Sequence, residues 1–146
     1  MPTRTARTAW SGTIDEGSGR VELTSSGIAT YDVSFPKRAA DEADGTTSPE
    51  ELIAAAHSSC YAMQLSGLLG RAGARPVSLD VQADVSLGPD PAGGFHLTGI
   101  HLTVRGQVEG LDADGFVEAA EEAGRSCPVS KALTGVEITV DASLAA

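Results

Sequence analysis

From Val77 onward apolar residues occupy every second position: Val77, Leu79, Val81, Ala83, Val85 and Leu87. A period of two is that of a strand with one buried face. A GPDPAGG turn follows, and a second strand then places Ile100, Leu102 and Val104 on one side. Nearer the start, residues 8–34 also read as strands: TAWSGTI, a turn at Glu16-Gly17-Ser18-Gly19, then RVELTSSG and IATYDVSF. Residues 36–48 are polar and turn-forming, which predicts a surface loop.

The period changes at residue 49. Ser48 is a fitting N-cap, Pro49 takes the first helical position, and Glu50 and Glu51 sit at the positive end of the helix dipole. Arg71 and Gly73 mark the stop. The predicted helix is ~35 Å long at ~1.5 Å per residue. It is apolar or small nearly all round, as a helix enclosed on several sides is. So short a chain does not easily surround it, which points to an oligomer. Asp112 is a cap for a helix over 113–125, a shorter helix starts near Pro128, and VEITVDA over 136–142 closes as a strand. The order βββ-α-ββ-α-α-β predicts a single α+β domain over residues 1–146.

Bulk properties narrow the function. At 146 residues the chain suits one domain with a real core. Twenty acidic against ten basic residues give a formal charge of -10. That charge disfavours nucleic acid and anionic membrane surfaces, and no Lys/Arg cluster offsets it. Leu52 to Leu69 is apolar but interrupted by His57, Ser58, Ser59, Gln64 and Ser66, so it is a core helix and not a membrane span. The segment MPTRTARTAWSG has no apolar run behind its arginines, which predicts no secretory signal and a cytoplasmic protein. In that reducing setting a pair of cysteines is catalytic, redox-active or inert more often than a permanent staple.

The two cysteines are the main candidates for chemistry. Cys60 lies midway along the long helix with Ile53, Ala56, Met63 and Gly67, where a free cysteine can simply pack as a small hydrophobe. Cys127 stands in Ser126-Cys127-Pro128-Val129-Ser130, and a proline directly after it suits a helix N-terminus. Free backbone N–H groups there stabilise a thiolate, although plain cap packing gives the same sequence. Their separation of 67 residues fixes no distance in space. An attacking sulfur must be ionised, so a cation in loop 36–48 stands out, Arg38 first and Lys37 second. A carboxylate must orient an arginine drawn into an apolar pocket; Glu50 and Glu51 are available, though helix-start charges commonly face solvent. His57 and Cys60, with Cys127, His96 or His101, match no strong zinc spacing, so neither metal nor cofactor is expected. A buried, hydrogen-bonded His57 is the simpler reading.

Thr47-Ser48-Pro49-Glu50-Glu51-Leu52-Ile53-Ala54-Ala55-Ala56-His57-Ser58-Ser59-Cys60, followed by Cys127-Pro128-Val129-Ser130, resembles the OsmC/Ohr family of organic hydroperoxide peroxidases. AAAHSSC looks more like the OsmC branch, and the likeness runs from TAWSG to VEITVDA. The resemblance implies an intertwined homodimer whose six-stranded antiparallel sheets wrap long central helices, with active sites at the subunit interface. It implies Cys60 as the peroxidatic thiol, Cys127 as the resolving thiol, and an Arg38–Glu50 ion pair beside the reactive sulfur. It also implies an organic hydroperoxide as substrate and an external dithiol of lipoyl type as reductant.

Ten residues of helix separate Glu50 from Cys60, or ~15 Å along the axis, and helical side chains lean further toward the N-terminus. A carboxylate serving Cys60 is therefore expected from a partner subunit. An apolar lining from Ile53, Ala56 and Met63 would favour alkyl hydroperoxides. Two rival classes share these residues: a thiol redox sensor, and a non-catalytic module that binds a lipid-like ligand.

Overall fold

Strands β1 (Arg7–Ser11), β2 (Ser18–Glu22) and β3 (Thr30–Val33) form an antiparallel sheet in that order, with Trp10 opposite Gly19 and Gly19 opposite Val33. The first turn comes earlier than the sequence suggested. Gly12 adopts φ 95°, the Gly17 amide closes onto the Thr13 carbonyl at 2.7 Å, and β2 starts directly at Ser18. After β3 the Ser34 side chain accepts the Lys37 amide at 3.3 Å and caps a single unanticipated turn, α1 (Phe35–Arg38). These elements belong to the first of two compact units, Met1–Leu52; the second begins at Ile53. The computed structural model describes residues 1–145.

Helix α2 (Pro49–Arg71) has the bounds its punctuation predicted. Ser48 Oγ accepts the Glu51 amide at 3.2 Å, and Gly73 leaves the helix at φ 81°. Its residues in the second unit are not covered all round: His57, Tyr61, Leu65 and Leu69 form a buried stripe four residues apart, while Ser59, Met63, Ser66 and Gly70 are exposed. Tyr61, Leu65 and Leu69 of this stripe pack with Ile100, Leu102 and Val104 of β5 (Phe95–Glu109), which are buried as the alternation required. Burying each such side chain contributes about 1.5–3 kcal/mol before entropy is counted.

β4 (Arg75–Pro89) pairs antiparallel with β5, and its alternation holds from Leu79 to Val85. Val77 breaks it. The register shifts between Pro76 and Ser78, so Val77 is the extra residue of a bulge and turns outward. Helices α3 (Ala113–Ser126) and α4 (Pro128–Ala132) then lead to β6 (Ile138–Leu144). α3 buries Phe116, Ala120 and Ala123 in the same core. A β-carbon at Gly106 would stand 2.5 Å from Phe116 Cζ, so this close approach requires glycine.

The α+β class and the element order are as expected, with α1 added. One expectation is corrected: β6 lies parallel to β5, not antiparallel. The two helices between them return the chain along the sheet, so β6 sets off in the direction β5 took. Among the described residues, no helix is long and apolar enough to cross a membrane.

Candidate active site

In the second unit Cys127 Sγ lies 3.2 Å from Cys60 Sγ, and both thiols are free. Cys60 comes from the middle of α2 and is half-buried; Cys127 is fully buried between α3 and α4. Pro128 has no N–H to continue α3, so the chain turns at Cys127 and restarts as α4. Reagents from outside can therefore reach Cys60 first. The amide at the start of α4 does not serve the cysteine that caps it. Cys127 makes no side-chain cap bond, whereas the Val129 backbone N–H donates to the Cys60 sulfur.

Burial pushes the Cys60 thiol up from its ordinary value; the Val129 amide opposes this, and the adjacent Cys127 adds to the rise. Among the described residues of the second unit, no cation offsets this rise. As it stands, this sulfur favours the thiol. Burial also drives the Tyr61 phenol far above its usual range, and its hydroxyl donates to the Ala120 carbonyl at 2.7 Å.

His57 is fully buried and hydrogen-bonded, as its position suggested: Nε2 meets Ser130 Oγ at 2.7 Å. Nδ1 is buried without a partner among the described residues. An orphaned N–H costs more than an orphaned lone pair, so we assign the proton to Nε2, which donates to Ser130. Burial holds the His57 pKa below the ordinary 6.5. The unfolded chain takes up a proton there that the folded chain refuses, so stability falls as pH drops below 6.5 and is restored above it. Urea midpoints at about pH 7.5 and about pH 5 check this: wild type should lose more stability on acidification than His57→Gln.

In the first unit Arg38 and Glu50 form a forked ion pair. Arg38 Nε donates to Glu50 Oε1 and Oε2 at 3.0 and 3.2 Å, and Nη2 donates to Oε1 at 2.7 Å. Glu50 is buried, 8% exposed, so it is not a solvent-facing helix charge. Glu51 is exposed and accepts from Thr47 Oγ1 at 2.6 Å. Lys37 is occupied with Asp44 at 2.7 Å, and its ammonium holds that carboxyl below the usual range. Arg38 also borders a cleft of about 600 Å³ lined by Trp10, Ile14, Val21, Val33, Phe35 and Leu52.

The expected residues therefore meet as two pairs, Cys60 with Cys127 and Arg38 with Glu50. The expected apolar lining around Cys60 is not enclosed by the chain itself, since Ala56 and Met63 are exposed. His96 approaches Asp90 at 3.8 Å and His101 bonds Thr139 at 2.7 Å, both on β5. Ser130, Gln64 and Ser126 were not anticipated as bonding partners, although Ser126 and Ser130 flank Cys127 in Ser126-Cys127-Pro128-Val129-Ser130.

A family model described as OsmC-like protein matches residues 41–141. The chain is 42% identical over 135 residues to peroxiredoxin OsmC of Escherichia coli (strain K12), covering 92% of each. It is 31% identical over 121 residues to organic hydroperoxide resistance protein OhrA of Bacillus subtilis (strain 168), covering 82% of this chain and 84% of the other. The crystal structure of an organic hydroperoxide resistance protein from Elizabethkingia anophelis superposes with a TM-score of 0.81 at 26% identity, over 99% of this chain and 98% of that one.

Proposed function

Because the chain belongs to the OsmC-like protein family, we propose that it is a cysteine-based peroxidase that reduces organic hydroperoxides to alcohols in a reducing cytoplasm. The observation that carries this reading is the 3.2 Å approach of a buried Cys127 to a half-buried Cys60. Peroxide reduction needs an accessible thiolate and a second thiol ready to condense with the product.

The Cys60 thiolate attacks the outer oxygen of ROOH; the O–O bond breaks and the alkoxide leaves as ROH after taking a proton. The Cys60 sulfenic acid then condenses with the Cys127 thiol, forming the S–S bond and releasing water. An external dithiol, lipoyl-type by resemblance, reopens the disulfide by exchange and becomes a disulfide itself.

Burial opposes ionisation of Cys60, which a cation beside the sulfur would offset. The Arg38–Glu50 pair supplies one in this proposal, donated by the second subunit of a homodimer. The exposed Ser59, Met63, Ser66 and Gly70 face of α2 is a surface of small and apolar residues that a second copy would cover. The apolar cleft beside Arg38 suits an alkyl chain, which favours organic peroxides over hydrogen peroxide.

Steady-state consumption of cumene hydroperoxide with excess dithiol tests the reading. Many turnovers per chain, faster than with hydrogen peroxide, are expected. A disulfide that forms once and never cycles would identify a sensor instead, and thiols inert to peroxide would leave a ligand-binding module.

A further inference from the structure

The Cys60–Cys127 contact is bracketed. One turn before Cys60, His57 Nε2 bonds Ser130 Oγ, three residues after Cys127, at 2.7 Å. One turn after Cys60, Gln64 Nε2 donates to Ser126 Oγ, directly before Cys127, at 2.8 Å. Ser126 is itself held, its hydroxyl donating to the Glu122 carbonyl at 2.8 Å. α2 thus carries donor, thiol and donor at 57, 60 and 64, and the α3–α4 junction answers with acceptor, thiol and acceptor at 130, 127 and 126.

From this geometry we infer that the His57–Ser130 and Gln64–Ser126 bonds are a clamp that sets how the Cys60 sulfenic acid partitions between disulfide and over-oxidation. The inference rests on the peroxidase reading above.

Two reactions compete for that sulfenic acid. In the first, Cys127 sulfur attacks Cys60 sulfur, the S–O bond breaks and hydroxide leaves with the thiol proton as water. In the second, another ROOH transfers oxygen to the sulfenate, giving a sulfinic acid and ROH, and the site is lost to simple thiol reductants. The second rises with peroxide concentration. The first depends only on how often Cys127 sits within reach of Cys60. From 3.2 Å the sulfurs must close to about 2.05 Å, a shift of roughly 1 Å that side-chain rotation can supply. Neither helix has to unwind while the clamp holds both of them. Cys127 lies where two helices meet at a proline break, and the Val129 N–H bond to the Cys60 sulfur already ties α4 to α2 at the thiols. The side-chain bonds on either side of the thiols add to that restraint. These bonds act by placing the two sulfurs, so their residues are positioning residues.

The test compares wild type, Ser130→Ala, Gln64→Leu and His57→Gln, each checked for a wild-type thermal transition. Each receives graded cumene hydroperoxide without reductant, and intact-mass spectra read the ratio of sulfinic acid to disulfide. Stopped-flow loss of the Cys60 thiol reads the first step separately. The expected result is an unchanged first step with a sulfinic fraction raised about tenfold in Gln64→Leu and Ser130→Ala, equivalent to about 1.4 kcal/mol, the upper part of the range for one lost hydrogen bond. His57→Gln keeps an amide donor toward Ser130 and should stay within about threefold of wild type. Should Ser130→Ala fail to fold, Gln64→Leu decides alone. If folded variants partition as wild type does, the clamp is overturned. If wild-type Cys60 does not react with the peroxide at all, the peroxidase reading falls instead.

Discussion

Cys60→Ser is expected to lower organic hydroperoxide turnover at least about 10³-fold, because a hydroxyl is not measurably ionised at neutral pH and attacks peroxide oxygen poorly. The substitution is nearly isosteric at a half-buried site, so the fold should survive it. Cys127→Ser should behave differently. Its Cys60 keeps the Val129 amide and loses a neighbour that raises its pKa, so the first attack proceeds. The sulfenic acid then has no internal thiol, and the enzyme stalls or over-oxidises after about one equivalent of peroxide. Steady-state assays with excess dithiol, paired with intact-mass spectra after one equivalent, separate the two variants. Cycling that persists in Cys60→Ser would remove Cys60 from the mechanism. Equal loss of the first turnover in both would mean that Cys127 does more than resolve.

What could be read in the sequence was local. Ser48, Pro49 and Gly73 bound α2 because caps and stops act within one turn, and the strand over 95–109 shows its buried face in its own alternation. The outward turn of Val77 depends on a register shift against β5, and the direction of β6 depends on where two helices deliver the chain. Neither is encoded in a window of ten residues. The site divides the same way. Arg38 was preferred to Lys37 from composition and resemblance, and the structure pairs Arg38 with Glu50 while Lys37 turns to Asp44. The His57–Ser130 and Gln64–Ser126 bonds join residues 73 and 62 positions apart, and no spacing rule predicts such partners.

A mixed dimer of Cys60→Ser and Glu50→Ala subunits is expected to recover activity that neither homodimer has. Burial pushes the Cys60 thiol up, so a cation beside it is needed to draw out the thiolate. Removing Glu50 frees the Arg38 fork that three hydrogen bonds now fix, and should cost about 10²-fold in turnover, as loss of one preorganised electrostatic group does. The length of α2 is the reason the pair is expected from the partner chain. Ten helical residues put Glu50 ~15 Å along the axis from Cys60, too far for a carboxylate to orient an arginine touching that sulfur. If the pair serves the partner's thiol, the heterodimer gathers both defects into one site and leaves the other whole. Statistical mixing then makes half of all dimers mixed, each with one working site, or about a quarter of wild-type activity per subunit. If each chain completes its own site, both sites of the mixed dimer are defective and nothing returns. Native mass spectra of the mixture establish that subunits have exchanged. With exchange proven, the recovered fraction alone distinguishes a thiol activated across the interface from one activated within its chain.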